Sequence, residues 1–352
     1  MGAAGLTRRN KRGSFAAVSA VRPRVFCLFS SALVASLPSR RFIVAFDPDG
    51  PPAGLTGAVV AIGNFDGVHR GHVAVIKRAE ALAARLGKPC AVLTFEPHPS
   101  DFFLGPNTIF RLTSRDTKAV ALERLGIDGM IVLRFDAALA ALPAEEFVRD
   151  VLVGRLKVAA VVAGYDFHFG KGRSGTPAFL AEAGTRYGFE VEIVERIAAD
   201  ASGSIEAASS TATRAALEAG DVERAEHLLG HPYFVIGEVI HGEKRGARLG
   251  FPTANIRLDA SNRLRHGVYA VGVRFGETVY GGVANYGRRP TFDNGAPLLE
   301  VFVFDFSGDL YGKTLEVAFR GFIRGEEKFA SLDALKAQIK QDEATARAIL
   351  GK

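Results

Sequence analysis

Four continuous apolar runs, separated by segments with helical spacing, organise the first half of the chain. The runs cover residues 58–63, 90–95, 129–135 and 158–164. Runs without polar alternation are typical of strands that are buried on both faces. Helical spacing over 71–86 and 113–125 predicts strand–helix alternation, and therefore a parallel sheet covered by helices. Because ligands of such sheets bind at the carboxyl ends of strands, the loops after the strands are the candidate site.

The pattern changes after Tyr233. Apolar residues then alternate with polar ones or form short β-branched runs, at 234–240, 267–275, 279–285, 298–306 and 314–319. Turns with Gly, Asn and Asp separate these runs, which predicts an antiparallel barrel. Helical spacing returns over 331–350, where Ser331 is the expected N-cap. A short helix at 221–230 precedes the change, so we expect a linker at 218–232 between domains 46–217 and 233–352.

Charge is concentrated at the N-terminus. Eight of the 44 basic residues lie in residues 1–41, which contain no acid, and the rest of the chain has 36 basic against 38 acidic residues. The basic balance therefore says little about nucleic-acid binding by the body of the protein. We expect residues 1–45 to be a disordered extension or a non-native start; the alternative is a targeting segment, since residues 25–37 form one apolar run.

Two further classes of protein are disfavoured by the composition. Cys27 and Cys90 are the two cysteines, which cannot build a disulfide framework, and no cysteine–histidine cluster offers a zinc site. A reducing compartment is therefore expected. No stretch reaches the roughly 18 apolar residues that a membrane span requires.

The loop after the first predicted strand carries the first candidate chemistry. It reads Gly63-Asn64-Phe65-Asp66-Gly67-Val68-His69-Arg70-Gly71-His72. Histidines three apart in the first turn of a helix share one side, at the positive end of the helix dipole. Unpaired backbone N–H groups there favour an anion such as a triphosphate, and glycines allow its close approach. A glycine-rich turn with exposed histidines remains the alternative, and a metal site lacks an evident third ligand.

Two other strand ends and one helix start add polar and aromatic groups. The second strand ends in Thr94-Phe95-Glu96-Pro97-His98-Pro99, and residues 164–175 follow the fourth. In the latter, Phe167 and Phe169 could stack on a planar ring, and Lys171 or Arg173 could meet phosphate. Residues 209–214 open a helix, so their hydroxyls are either ordinary N-caps or anion donors. A well-packed turn with a solvated basic tip is the alternative for 164–175.

A glycine-rich basic loop marks the second half. Residues 242–255 combine glycines with cations that could wrap phosphates, although the Walker pattern is absent. Thr253 and Asn255 at its end are hard oxygen donors, suited to Mg²⁺ beside nucleotide phosphates. The alternative is a flexible glycine loop followed by a turn.

Together, the elements of the first half resemble the N-terminal adenylyltransferase module of bacterial bifunctional riboflavin kinase/FMN adenylyltransferases, over about 59–214. The resemblance implies that loop 64–72 binds ATP, with His69 and His72 at the phosphates. It further implies an ATP and phosphate set of Gly63, Asn64, Asp66, Gly67, Gly71, Ser209, Ser210, Thr211 and Arg214, and a flavin set of Phe167, Phe169 and Arg173. His168 stands where Arg is usual and Thr213 where an aliphatic residue is usual, which puts fine substrate contacts in doubt.

Three stretches of the second half resemble the riboflavin kinase module of the same family, over about 232–342. They are Gly250–Asn255 (GFPTAN), residues 281–292, and Glu300 followed by residues 305–312. The resemblance implies a six-stranded Greek-key barrel in which Thr253 and Asn255 hold Mg²⁺. It also implies a loop over ATP with Gly242, Gly246 and Gly250, Glu300 as general base, and Arg289 and Arg324 near the flavin. Gly325 replaces a usual proline. A strand-end surface carboxylate is the alternative for Glu300.

The leading hypothesis is therefore a two-step cytoplasmic enzyme of flavin cofactor synthesis. Its second domain phosphorylates riboflavin with MgATP, and its first domain transfers AMP from ATP to FMN, giving FAD. The expected partners are ATP, riboflavin and FMN, with Mg²⁺ accompanying ATP, no tightly bound redox cofactor, no nucleic acid and no membrane. Two alternatives remain: a chain in which only the kinase turns over, and a nucleic-acid or membrane-surface protein that uses the basic segment.

Overall fold

The computed structural model describes residues 41–195, 208–241, 251–288 and 297–351. Arg41–Lys352 form one compact unit. A six-stranded parallel sheet with helices comes first, and a closed six-stranded barrel with a terminal helix follows. The predicted fold class is confirmed.

All six strands of the sheet are parallel. They are β1 (Ile43–Phe46), β2 (Val59–Ile62), β3 (Cys90–Glu96), β4 (Gly129–Arg134), β5 (Ala160–Gly164) and β6 (Glu190–Val194). Their spatial order is β1-β4-β3-β2-β5-β6. The four inner strands match the four predicted apolar runs, whereas the edge strands β1 and β6, which are half-buried or exposed, are not among the predictions. β1 is a short apolar run (IVAF) that pairs with β4 from Ile43 onward, so the expectation of a disordered extension over 1–45 is wrong for residues 43–45.

Helices cover both faces of the sheet. They are α1 (Arg70–Leu86), α2 (Pro99–Leu104), α3 (Arg115–Glu123), α4 (Ala137–Ala141), α5 (Ala144–Glu146), a π-helical segment (Phe147–Arg155) and α6 (Pro177–Tyr187). The buried residues of α1 and α3 join one core layer, and those of the π-helical segment and α6 join the other. Strand β2 has β3 on one side and β5 on the other, so the chain reverses its winding there. Such a switch point opens a crevice at the carboxyl ends of the two strands.

The barrel follows two short helices, α7 (Ser210–Ala219) and α8 (Val222–Leu229). Its strands are β7 (Phe234–Ile240), β8 (Thr253–Arg257), β9 (Gly267–Phe275), β10 (Thr278–Arg288), β11 (Pro297–Val303) and β12 (Thr314–Arg324), closed in the order β10-β11-β8-β7-β12-β9. Helix α9 (Leu332–Leu350) packs on the outside, with Ser331 as the predicted N-cap. The predicted runs match five strands. The sixth strand, β8, covers residues 253–257, so the alternative interpretation of a turn after the glycine loop is wrong for these residues.

The sheet region and the barrel share apolar cores. Phe110 and Leu112, which follow α2, are buried among barrel side chains, and Phe234 of β7 is buried among residues that cover the sheet. Residues 218–232, predicted as a linker, contain α8, whose apolar face lies in the same barrel-side core. A hydrogen bond adds to this apolar packing, since the Arg263 guanidinium donates to the Thr108 backbone carbonyl at 2.6 Å.

Candidate functional site

A cleft of about 1700 Å³ lies at the carboxyl ends of β2, β3 and β5. It brings together thirteen of the residues that the sequence singles out: Gly63, Asn64, Asp66, His69, Gly71, His72, Phe167, Phe169, Arg173, Ser209, Ser210, Thr211 and Arg214. Gly67 is the exception in the first loop. It lies behind the loop, where its N–H donates to Thr113 Oγ1 at 3.1 Å and a Cβ would meet the Leu112 side chain at 2.8 Å.

His69 and His72 meet at the start of α1. His69 is the N-cap residue, and its Nδ1 accepts a hydrogen bond from the His72 backbone N–H at 3.3 Å. The two rings stack with centroids 3.5 Å apart, so both imidazoles share one side of the helix as their spacing predicts. Since His69 Nδ1 is an acceptor, the proton of the neutral ring sits on Nε2, which leaves an N–H donor on the other edge of the ring.

Burial keeps these imidazoles neutral at physiological pH. It lowers the pKa of His69 from 6.5 to about 4, and a smaller opposing effect comes from the Asp66 carboxylate. The pKa of His72 is lowered well below 6.5, first by burial and then by His69. His72 Nδ1 is buried and has no hydrogen-bond partner among the described residues. The pair therefore offers neutral hydrogen-bonding groups to an anion rather than fixed positive charges.

His98 repeats this arrangement at the start of α2. It is the N-cap of α2, its Nδ1 accepts from the Ser100 N–H at 3.1 Å, and it also lines the cleft. Burial lowers the pKa of His98 from 6.5 to about 4. The sequence places His98 in the Thr94–Pro99 stretch without a role for it. A histidine that both caps a helix and faces a cleft cannot be distinguished from an exposed one by spacing alone.

These low pKa values predict a loss of stability in mild acid. The unfolded chain binds a proton on each such histidine below about pH 6.5, while the folded chain does so only near pH 4. Each histidine therefore lowers the free energy of unfolding by about 3 kcal/mol as the pH falls through that window. His98→Asn keeps a good N-cap side chain. In this variant, the slope of the free energy of urea unfolding against pH should be smaller by the equivalent of about one proton. An unchanged slope would show that His98 titrates normally.

Asp66 and Arg214 form a buried pair beneath the first loop. The Asp66 carboxylate is 1% exposed and accepts from the Thr113 N–H at 3.0 Å and from the Arg214 guanidinium. Burial opposes its ionisation, but Arg214 and Lys118 outweigh burial and lower the pKa of Asp66. Arg214 Nε also donates to the Phe110 carbonyl at 2.7 Å. The carboxylate is thus directed at the protein, where it orients Arg214 and the loop.

The start of α7 forms a second helix N-terminus in the cleft. Ser209 is its N-cap and accepts from the Ala212 N–H at 3.1 Å. Ser210 Oγ donates to the Asp66 carbonyl at 2.9 Å, and Thr211 is exposed in the cleft. The N-cap interpretation therefore holds for Ser209, and the N-termini of two helices, α1 and α7, converge on one cleft. This convergence creates a strongly anion-attracting end.

Of the two residues that depart from the family pattern, Thr213 does not reach the cleft surface. Thr213 is fully buried, and its hydroxyl donates to the Ser209 carbonyl at 2.9 Å. His168 is exposed and lines the cleft, and its Nδ1 lies 2.9 Å from the Asp166 carbonyl oxygen. Of the two departures, His168 alone changes a group that a ligand can touch.

Another part of the cleft lining is apolar and aromatic. Phe103 and Leu104 of α2 are 65% and 68% exposed, and Phe103 packs edge-on against Phe135 with ring centroids 5.8 Å apart. Exposed large apolar side chains in a cleft mark a binding surface. This wall is not among the predicted site residues. Its signal is three consecutive apolar residues, 102–104, in one helical turn, because they cannot all face a core.

The predicted aromatic residues of the 164–175 loop have different exposures. Phe167 is half-buried, whereas Phe169 is 7% exposed and packs against Phe147 at a centroid distance of 5.3 Å. Backbone bonds between Phe169 and Gly175 tie the loop into a small hairpin. Lys171 and Arg173 are exposed at its tip, which agrees with the alternative of a packed turn with a solvated basic tip and leaves both cations accessible to a ligand. Phe169 is therefore mainly a core residue that supports Phe167, with a stacking angle of 17° between their rings.

The barrel brings its predicted polar residues onto one outer face. Asn255 pairs with Glu300 in the ladder between β8 and β11, and Glu300 pairs with Asn285 of β10. Thr253 lies two residues from Asn255 and therefore points to the same side. Their neighbours Ala254, Leu299 and Val301 belong to the barrel core. Glu300 lies in the middle of β11 and is half-buried, so a strand-end position is wrong for it.

The donor set on this face fits Mg²⁺ in one specific way. Among the described residues, no three His, Cys, Asp or Glu side chains are grouped to hold a metal. Thr253 and Asn255 supply hard oxygen atoms, and Asn255 Nδ2 is directed at the Thr253 carbonyl at 3.4 Å, which orients the amide. Mg²⁺ usually binds through one or two protein groups, phosphates and water. The set thus fits an ion that enters with nucleotide.

Arg324 makes a two-pronged ion pair with Asp342 of α9. Its Nε and Nη2 donate to the Asp342 carboxylate at 2.9 and 2.7 Å, and Nη1 donates to the Gly325 carbonyl. The hydrogen bonds to Asp342 raise the pKa of Arg324, and burial opposes them with a smaller effect. The guanidinium thus joins β12 to α9. Of the other predicted barrel residues, Gly242, Gly246, Gly250 and Arg289 lie outside the described residues.

Two family models match the chain, one in each half. The FAD synthetase model matches residues 52–211, and the riboflavin kinase model matches residues 229–350. A crystal structure titled as a macrolide-efflux protein from Streptococcus pneumoniae aligns with a TM-score of 0.74 and 32% identity, over 87% of this chain and 99% of that one. Neither family model describes macrolide efflux, the activity that this title names. None of the described helices has the length and apolar character needed to cross a membrane.

Similar proteins combine both modules in one chain. A bifunctional riboflavin kinase/FMN adenylyltransferase from Haemophilus influenzae is 46% identical over 84% of this chain and 94% of that protein. Proteins with the same description from Escherichia coli and Listeria monocytogenes are 43% and 42% identical, each over 84% of this chain and 93% of that protein. This confirms the resemblance that the motifs indicate, and the chain therefore belongs to the family of bifunctional riboflavin kinase/FMN adenylyltransferases.

Proposed function

We propose that this chain converts riboflavin to FMN on its barrel and FMN to FAD in the cleft of its parallel-sheet domain, with ATP as the donor in both steps. The observation that carries the proposal is the polarity of the cleft. Its lining combines two helix N-termini and neutral imidazoles with an exposed aromatic wall. A flavin nucleotide and ATP together present an apolar planar ring and a chain of phosphates, which match these two kinds of surface.

In the cleft, a phosphate oxygen of FMN attacks the α-phosphorus of ATP. The new P–O bond forms as the bond between the α-phosphorus and the bridging oxygen breaks, and pyrophosphate leaves with the electron pair. His69 Nε2–H and the backbone N–H groups of the α1 and α7 N-termini donate hydrogen bonds to the phosphates as charge shifts toward pyrophosphate. Because the donors are neutral and already oriented, no protein group has to change its protonation state.

At the aromatic part of the lining, the flavin ring packs between the α2 wall and the 164–175 loop. Phe103 and Phe135 supply one side, and Phe167 supplies the other. Apolar burial together with aromatic stacking favours a planar heterocycle over a sugar or a peptide. Arg173 at the exposed tip is placed to meet the phosphate of FMN. Asp66 acts indirectly, since its carboxylate holds Arg214.

On the barrel, Glu300 is the proposed general base. The terminal ribityl hydroxyl of riboflavin attacks the γ-phosphorus of ATP, the bond to the bridging oxygen breaks, ADP leaves, and Glu300 accepts the hydroxyl proton. Thr253 and Asn255, on the same face, would hold Mg²⁺, which neutralises phosphate charge when it is bound with ATP. The Arg324–Asp342 pair fixes α9 against β12.

The proposed partners are thus riboflavin, FMN and ATP with Mg²⁺, in the cytoplasm. Both reactions move phosphoryl or adenylyl groups without a change of oxidation state, so neither step needs a redox cofactor. Cys90, the cysteine among the described residues, is buried, which suits a packing role rather than chemistry.

A chromatographic time course tests this function. Purified protein receives riboflavin, ATP and Mg²⁺, and FMN and FAD are resolved at successive times. We expect FMN to appear first and FAD to follow after a lag, because the product of one site is the substrate of the other. FMN without FAD would overturn the adenylyl assignment, and neither product would overturn both. A parallel reaction that starts from FMN tests the second step alone.

A further inference from the structure

A fully buried lysine lies beneath the first cleft loop, and none of the proposed steps uses it. Lys118 of α3 has a side chain that is 1% exposed. An unpaired ammonium at such depth is strongly unfavourable, so its hydrogen bonds decide what it does. Its Nζ donates to the Asn64 backbone carbonyl at 2.9 Å, and it reaches Glu96 Oε1 at 3.3 Å and Thr94 Oγ1 at 3.4 Å.

The shortest of these contacts fixes the start of the phosphate loop. The Asn64 carbonyl also accepts from Thr94 Oγ1 at 3.0 Å, so two donors hold it toward the interior. A trans peptide directs its carbonyl and its N–H to opposite sides. The inward carbonyl of Asn64 therefore turns the N–H of Phe65 away from Lys118. One buried ammonium thus sets the orientation of the peptide that opens loop 64–69.

This loop needs such restraint because its backbone is strained. Phe65 and Val68 have φ values of 49° and 45°, in the left-handed region that side chains with a Cβ disfavour. Such conformations are unfavourable and persist only where the surroundings hold them. A relaxed loop would move the N-cap His69, and with it the imidazole pair at the end of the loop.

The charges around Lys118 show that it is part of a buried network and not an isolated ion. Glu96 lies between Lys118 and Arg111, and Arg111 binds the Glu96 carboxylate at 2.7 and 2.9 Å. Glu96 would therefore remain paired if Lys118 were neutral. The Asn64 carbonyl, in contrast, would lose its charged donor. Among the described contacts, Lys118 is the one cation that donates to the Asn64 carbonyl.

We propose that Lys118 is a positioning residue for adenylyl transfer, acting through the Asn64 carbonyl to hold the strained phosphate loop in its reactive shape. The inference rests on the proposed function of the cleft. It assigns Lys118 no contact with substrate. It places the effect in the rate of the chemical step, because a displacement of reacting groups by about 1 Å costs on the order of 100-fold in rate.

The test compares Lys118→Met with Glu96→Gln in the full-length protein. Methionine keeps the apolar stem and loses all three donors, whereas Glu96→Gln removes the ion-pair partner and keeps the bond from Lys118 to Asn64. We expect Lys118→Met to lower kcat for FAD formation from FMN by about 10- to 100-fold, with KM for FMN within about twofold. Glu96→Gln should stay within about threefold, and both variants should phosphorylate riboflavin at the wild-type rate.

Each result decides the matter. Unchanged kcat in Lys118→Met, or an equal loss in Glu96→Gln, overturns the proposal in favour of a purely structural ion pair. If wild-type protein makes no FAD, the proposed function fails, and the positioning role fails with it; if only the variant comparison fails, the function stands. Should Lys118→Met not fold, Lys118→Gln keeps a polar group at this buried position but is uncharged and one bond shorter than the lysine side chain, and an unchanged kcat there overturns the proposal.

Discussion

Replacing both His69 and His72 with alanine should abolish FAD formation, by at least about 1,000-fold, and leave FMN formation intact. The loss of one oriented hydrogen-bond donor to a developing charge typically costs 100- to 1,000-fold in rate. Here two stacked neutral imidazoles are removed from the same helix start. The proposed kinase residues Thr253, Asn255 and Glu300 lie on barrel strands and do not line the cleft, so riboflavin phosphorylation should continue. Separate assays from riboflavin and from FMN measure both effects in the same preparation.

Two control variants separate chemistry from helix capping. His69→Asn retains an N-cap side chain but loses the Nε2–H donor. It should therefore lose activity without losing stability. His227→Ala removes an exposed imidazole from α8 and should leave both activities unchanged. If His69→Asn keeps wild-type FAD synthesis, His69 serves only as a cap, and the proposed phosphate contact is wrong.

Glu300→Ala should produce the opposite separation. Loss of a general base usually costs 100- to 10,000-fold in rate, so FMN formation from riboflavin should nearly stop. FAD formation from added FMN should persist, because the cleft lies on the other domain. Glu300→Gln should behave like Glu300→Ala, since the amide preserves the shape but accepts no proton at this pH. The initial rates of ADP and FMN release report the first step directly.

The matched control on the barrel is Glu277→Ala. Glu277 is exposed in the turn between β9 and β10, so its removal changes the charge by the same amount at a distance from the proposed site. Both activities should survive. Riboflavin phosphorylation at the wild-type rate in Glu300→Ala would show that the base assignment is wrong, while loss of both activities would indicate misfolding.

The sequence predicts the fold where burial is uniform. Continuous apolar runs identify β2 to β5, because both faces of these strands are covered. Strand β6 reads Glu190-Val191-Glu192-Ile193-Val194 and lies at an edge, so its pattern matches a short surface segment as well as a strand. Strand β8 is hidden in a different way. It follows the glycine loop directly and is five residues long, with Ala254 and Ile256 facing the core.

The site is predictable only where its groups share a local spacing. His69 and His72 are three residues apart in one helix, so helical geometry alone brings them together. Lys118 meets the Asn64 carbonyl across 54 residues, and only the packing of α3 against the sheet makes that contact. The burial of Asp66 is equally tertiary. Its loop position favours phosphate contact, yet the fold turns its carboxylate toward Arg214.

The apolar contact between the two halves has a consequence for how this protein can be divided or recombined. A chain cut within 218–232 would leave Phe110 and Leu112 without their barrel neighbours, exposed beside the segment that holds Asp66. The reverse fragment would expose Phe234. The seam does not follow the chain, since Arg111 N–H donates to Ser261 Oγ at 3.1 Å across 150 residues. A chimera between relatives must therefore exchange both sides of this seam together, and natural variation at either side is expected to be matched on the other.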